Sequence, residues 1–140
     1  MNKTIFSCEV FPPKKTMNIE TVYKTLDELK DLKPDFISVT YGAGGSENCD
    51  NTLNIAERIK NVCGVKSAVH MPCRNMTKKD AEFVLTQFQN AGIESILALR
   101  GDGKEGVEQI SGSTADWHYN SGYFTNRYRY RVCFCRGGWK

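Results

Sequence analysis

The chain has no run approaching the ~18 consecutive apolar residues of a membrane span, so a spanning protein is not expected. Its N-terminus, MNKTIFSCEVFPPKK, is too short and too interrupted by Glu9, Pro12 and Pro13 to be a secretory apolar core. Metal-ligating spacing is also missing. The six cysteines (Cys8, Cys49, Cys63, Cys73, Cys133, Cys135) contain no C-x-x-C pair, and the two histidines, His70 and His118, stand alone rather than in H-x₃₋₅-H spacing. Neither a zinc site nor a disulfide framework is expected, and the chain reads as cytoplasmic.

Charge of one sign is scarce over most of the length. The formal net charge of +3 comes from the end: residues 113–140 hold five Lys/Arg and one acid, leaving 14 basic against 15 acidic residues in 1–112. A nucleic-acid or membrane-surface partner for the main body is therefore not expected. Hydrophobic residues make up 40% and charged residues 25% of 140 residues, enough for a packed core.

Four apolar runs, Thr4–Val10, Asp35–Thr40, Val65–His70 and Ser95–Leu99, start 31, 30 and 30 residues apart, the length of a strand-plus-helix unit. Helical periods fill the gaps. Ile19, Val22, Tyr23, Leu26, Leu29 and Leu32 form one apolar stripe, with Pro34 beyond it as a stop. A second helix, with Ser46 as N-cap, is expected to bury Leu53, Ile55, Ala56, Ile59 and Val62 and to close at Gly64. A third opens on Thr77 and Asp80 as a T-x-x-D capping box, buries Ala81, Val84, Leu85, Phe88 and Ala91, and ends at Gly92. Strict alternation predicts a parallel α/β sheet, either doubly wound or the start of a closed barrel, and the even spacing favours the barrel.

Residues 113–140 differ: they hold both tryptophans and four of six tyrosines, but no Leu, no Ile and one Val. Only Tyr128–Phe134 could pass as a strand. The expected organisation is thus a barrel-type segment over 1–109 and a basic, aromatic, irregular tail over 110–140.

In a parallel barrel the strand C-termini and the loops after them form the active face. Strand one ends in Ser7-Cys8-Glu9-Val10-Phe11-Pro12-Pro13. Period two sets Glu9 with Ser7 and Ile5, and Phe6, Cys8 and Val10 on the other side, toward the helices. A carboxylate among Phe6, Val10 and Phe11 is costly to bury ionised, so Glu9 reads either as a salt-bridged structural residue or as a general acid with a raised pKa. Strand two ends in Ser38-Val39-Thr40-Tyr41-Gly42-Ala43-Gly44-Gly45-Ser46, with Ser38 and Thr40 on one face and Ile37 and Val39 on the other. Its glycines suit an anion site before a helix N-terminus, or simply a tight turn. His70 ends strand three as a structural histidine or a base, and Cys73 beside it reads as apolar filler rather than nucleophile. Strand four leads into Arg100-Gly101-Asp102, a ligand-binding rim or an exposed ion pair.

Together and in this order, Ser7–Lys14 (SCEVFPPK), Ser38–Ser46 (SVTYGAGGS), His70 and Ala98–Asp102 (ALRGD) resemble the N-terminal half of methylenetetrahydrofolate reductase, a flavin-dependent (β/α)₈ TIM barrel of one-carbon metabolism, over roughly residues 3–103. The resemblance implies about the first four β/α units, a half barrel. It also implies an FAD-dependent reduction of 5,10-methylenetetrahydrofolate to the 5-methyl form used to make methionine, with NAD(P)H reducing the flavin. Glu9 matches the proton donor and Asp102 the carboxylate near flavin and pterin, suited to stabilising a cationic iminium intermediate. Thr40, Tyr41, Ala43, His70, Arg100, Gly101 and Asp102 match positions at FAD, and Thr40 also one near the nicotinamide.

Departures begin after Asp102. Gly103-Lys104-Glu105-Gly106 lacks the family's usual prolines, and residues 110–140 show neither a Y-A-S-D-L-like helix start nor a Y-P-E-x-H-like loop. The tail is accordingly expected to stem from a shifted or truncated reading frame, leaving an inactive fragment. A nucleic-acid-binding tail rich in Arg and Tyr is the competing reading. Exposed sheet edges would favour homo-oligomers. The alternatives to a reductase are a non-catalytic β/α fragment acting through association and another barrel enzyme binding phosphate at Gly42–Ser46.

Overall fold

A computed structural model describes residues 4–14, 16–41, 49–72, 77–99 and 131–135. Strands β1 (Ser7–Val10), β2 (Phe36–Val39), β3 (Ser67–Pro72) and β4 (Ser95–Leu99) alternate with helices α1 (Ile19–Leu29), α2 (Cys49–Asn61) and α3 (Lys78–Asn90), and β5 (Arg131–Cys135) follows. The sheet order is β1-β2-β3-β4-β5, every neighbouring pair parallel. Sequential order has no reversal point, which a doubly wound sheet requires. Over the described strands the sheet is therefore singly wound, an α/β order consistent with the barrel alternative.

One face of that sheet is the core. Val10, Ile37, Val39, Val69, Met71, Ile96 and Ala98, alternate residues of their strands, pack with Leu26 of α1, Ile55, Ala56 and Ile59 of α2, and Ala81, Val84, Leu85 and Phe88 of α3. All three helices thus cover the same face, and burying these side chains supplies the main driving force for the fold.

Local signals set the helix limits. The Asn18 side chain accepts the Glu20 N–H at 3.0 Å and starts α1. Thr77 and Asp80 form the expected capping box, the Asp80 N–H donating to Thr77 Oγ1 at 3.2 Å and the Thr77 N–H to Asp80 Oδ2 at 2.9 Å. Gly64 and Gly92 take φ of +66° and +70°, the left-handed geometry that ends a helical segment at little cost for glycine. After α1 the same reversal falls on Lys33, at φ 52°, following a 3₁₀ turn at Lys30–Leu32.

Three expectations change. Leu32 and Val62, assigned to buried stripes, are 60% and 58% exposed. Leu32 lies in the 3₁₀ turn and Val62 beyond the last residue of α2, so neither follows the 3.6-residue stripe into the core. The tail expected to be irregular, with only Tyr128–Phe134 open to a strand, supplies β5, whose Val132 and Phe134 lie opposite Ile96 and Ala98 in the ladder. Ser46, the expected N-cap of α2, lies outside the described residues. No helix among the described residues is long and apolar enough to cross a membrane.

Candidate active site

The face turned away from the helices carries Glu9, Ser38 and His70. Parallel register sets Glu9 opposite Ser38, Ser38 opposite Ala68 and Ala68 opposite Ser95. Two residues further along β3, toward the strand C-termini, His70 lies opposite Leu97, and Pro72 lies opposite Leu99. Because all strands run the same way, their C-terminal ends share one rim; of the four residues the sequence led us to expect there, Glu9, Thr40 and His70 are among the described residues and Asp102 is not.

Glu9 and His70 meet there. His70 Nδ1 is 4.0 Å from Glu9 Oε1, with the imidazole 13% exposed and the carboxylate side chain 48% exposed. Burial pushes the His70 pKa below its ordinary 6.5, and the Glu9 charge pulls partly the other way. Near neutral pH His70 is thus an uncharged imidazole.

The apolar enclosure expected around Glu9 is not found. Phe6 and Phe11 are 46% and 66% exposed, and Glu9 occupies an edge strand on the face that no described helix covers. Flanking residues in a strand point to the opposite face or lie beyond its end, so closeness in sequence did not become contact.

Thr40 closes β2. Its N–H donates to the Val10 carbonyl at 3.0 Å, and its carbonyl accepts the Thr52 hydroxyl of α2 at 3.3 Å. Thr52 is fully buried, one of two buried polar residues among those described. Sequence reasoning missed Thr52: a threonine inside a helical stripe carries no mark that its hydroxyl serves a strand end twelve residues earlier. Tyr41 is partly buried against the core. Ala43, Arg100, Gly101, Asp102 and Cys73 lie outside the described residues, as does the glycine run 42–45.

The methylenetetrahydrofolate reductase family profile matches residues 1–123. The chain belongs to that family. The match runs beyond residue 109, into the segment that composition sets apart. Relatives include a "Probable methylenetetrahydrofolate reductase (NADH)" of Oryza sativa subsp. japonica, 37% identical over 116 residues, which are 81% of this chain and 19% of the relative. "Methylenetetrahydrofolate reductase (NADH) 1" of Arabidopsis thaliana is 39% identical over 116 residues, with the same coverage. "5,10-methylenetetrahydrofolate reductase" of Escherichia coli is 40% identical over 96 residues, 69% of this chain and 32% of the relative. The chain thus spans between a fifth and a third of the length of these curated relatives.

Proposed function

We propose that this chain forms the flavin- and folate-facing portion of a methylenetetrahydrofolate reductase whose complete fold is a (β/α)₈ barrel. In that reading, 5,10-methylenetetrahydrofolate is reduced to the 5-methyl compound with NAD(P)H, in the cytoplasm, as part of methionine supply. The observation that carries the reading is the meeting of Glu9 and His70 on the uncovered sheet face at the strand C-termini, within a chain of this family.

The residues present fit FAD. The uncovered face joins hydrogen-bonding groups, Ser38, the uncharged His70 and the Thr40–Tyr41 backbone at the end of β2, to the apolar side chains of Leu97 and Leu99. A flavin needs such a mixture of apolar surface and convergent polar groups. Thr40, Tyr41 and His70 would hold it, with Ala43, Arg100, Gly101 and Asp102 completing the set. The bound flavin supplies hydride transfer between nicotinamide and folate.

The chain's own contribution is a proton and a charge. Glu9, half-exposed on that face, delivers a proton as the folate's five-membered ring opens. Asp102 supplies the negative charge that favours a cationic folate. His70 accepts or donates one hydrogen bond at each ring nitrogen while uncharged, and so orients a neighbour without repelling a cation. In the chain by itself, outside a complete barrel, the β1 and β5 edges would pair copies of it.

Titration of the purified chain with FAD tests the reading. The expected result is a bound yellow flavin whose visible absorbance bleaches on adding NADH or NADPH. Colourless protein after gel filtration would overturn flavin binding and favour a non-catalytic β/α fragment.

A further inference from the structure

β1 and β3 are not neighbours, since β2 lies between them. At about 4.8 Å per strand step their backbones run about 10 Å apart, so side chains on one face meet only by leaning over the middle strand. Glu9 and His70 do so, ending 4.0 Å apart, within ion-pair reach though longer than a direct hydrogen bond. The lane they use is paved with small residues: Ser38 opposite Glu9, then Ala68 opposite Ser38. The Ser38 hydroxyl lies 3.5 Å from the Cys8 carbonyl, back toward β1, which keeps it low on the sheet.

We infer that His70 is a positioning residue for Glu9 and that Ser38 is the spacer that makes the pairing possible. On taking up a proton the imidazole draws the carboxyl inward over β2. A longer residue at position 38 would stand between the two groups. The other described side chains that register and parity set toward His70, Ser38 on β2, Thr40 just beyond it and Leu97 on β4, carry no charge, so Glu9 dominates the field there. The catalytic meaning of this pairing rests on the reading of Glu9 as proton donor; the pairing itself does not.

The test is an NMR titration of imidazole carbon-bound protons in the full 140-residue chain, with His70→Asn identifying which of the two histidine signals is His70. Glu9→Gln is expected to move the His70 midpoint to lower pH, because the carboxylate is what opposes the effect of burial. Ser38→Leu is expected to move it in the same direction with Glu9 still present, and Ser38→Ala to leave it where it is. A variant that fails to fold moves His70 upward to its ordinary 6.5, the opposite sense, so misfolding cannot imitate the result. Should Ser38→Leu not fold, Ser38→Val and Glu9→Gln decide. An unchanged midpoint in folded Glu9→Gln, or in folded Ser38→Leu, would overturn the inference. Flavin binding is scored separately: chain that binds FAD but shows no response loses only the pairing, and chain that responds without binding FAD loses only the reductase reading.

Discussion

The Thr52 hydroxyl of α2 donates to the Thr40 carbonyl at 3.3 Å, tying the second helix to the end of the second strand. The bond joins the buried side of the fold to the rim where the proposed chemistry takes place. Thr52→Val keeps the shape and removes the donor, leaving a partly buried carbonyl short of a partner. A loss of about 1–2 kcal/mol in urea unfolding is expected, with the midpoint lowered and the slope unchanged. Flavin affinity should fall as well if Thr40 contacts the cofactor, whereas equal stability of mutant and parent would remove Thr52 from this role.

Acid sensitivity should appear in two separate windows. Burial holds His70 below 6.5 in the folded state, so the unfolded chain binds the proton first. Its contribution is complete above pH 6.5 and declines as pH falls through 6.5 toward the folded value. Stability measured by denaturant between pH 7.5 and 5, roughly spanning that window, should fall less steeply in His70→Asn. Identical slopes would show that His70 is not desolvated.

The second window belongs to Asp80. Hydrogen bonds from the Thr77 side chain and backbone hold its carboxyl below 3.8. That contribution is present above pH 3.8 and is lost as pH falls through the folded value. Thr77→Ala removes the cap and should cost about 1 kcal/mol at neutral pH, flattening the acid limb at the same time. Circular dichroism melts at neutral pH and near pH 3 would separate the two effects.

Leu32 and Phe88 are both large apolar residues on predicted stripes, but one is 60% exposed and the other fully buried. Phe88→Ala is expected to cost about 3–5 kcal/mol, enough to unfold a marginal domain, and Leu32→Ala to stay within about 0.5 kcal/mol of the parent. Comparable losses at both sites would mean that Leu32 packs after all.

Lys33 and Gly64 offer a reciprocal pair at left-handed backbone positions, φ 52° and +66°. Lys33→Gly should stabilise by roughly 1 kcal/mol by relieving the clash of its Cβ with the backbone. Gly64→Ala should destabilise by a similar, roughly 1 kcal/mol amount, although nothing lies within 4 Å of an added Cβ. Thermal melts reporting the same sign for both changes would contradict the backbone argument.

Much of this was legible along the chain because it is local. The stripes of α1 and α3 placed Leu26, Leu85 and Phe88 in the core, the capping box announced itself at Thr77 and Asp80, and Ser95–Leu99 was located to the residue. Strand parity also separated Glu9 and Ser38 from Val10 and Ile37. Where a helix stops was less legible, since Leu32 and Val62 continue a stripe by spacing while the backbone has already turned away. The β5 strand was suggested only by position and composition, because a partner 36 residues back along the chain (Ser95 for Arg131) leaves no local periodic mark.

The sequence by itself determined which segments become strands and helices and which side of each is apolar, since those properties depend on neighbours a few residues away. Only the tertiary structure decided that the helices share one face, that Glu9 is open rather than enclosed, and that it reaches His70 across Ser38. Those outcomes depend on strand order and register. Both are fixed by side chains from separate segments competing for one buried face, a choice that no single stretch of residues encodes.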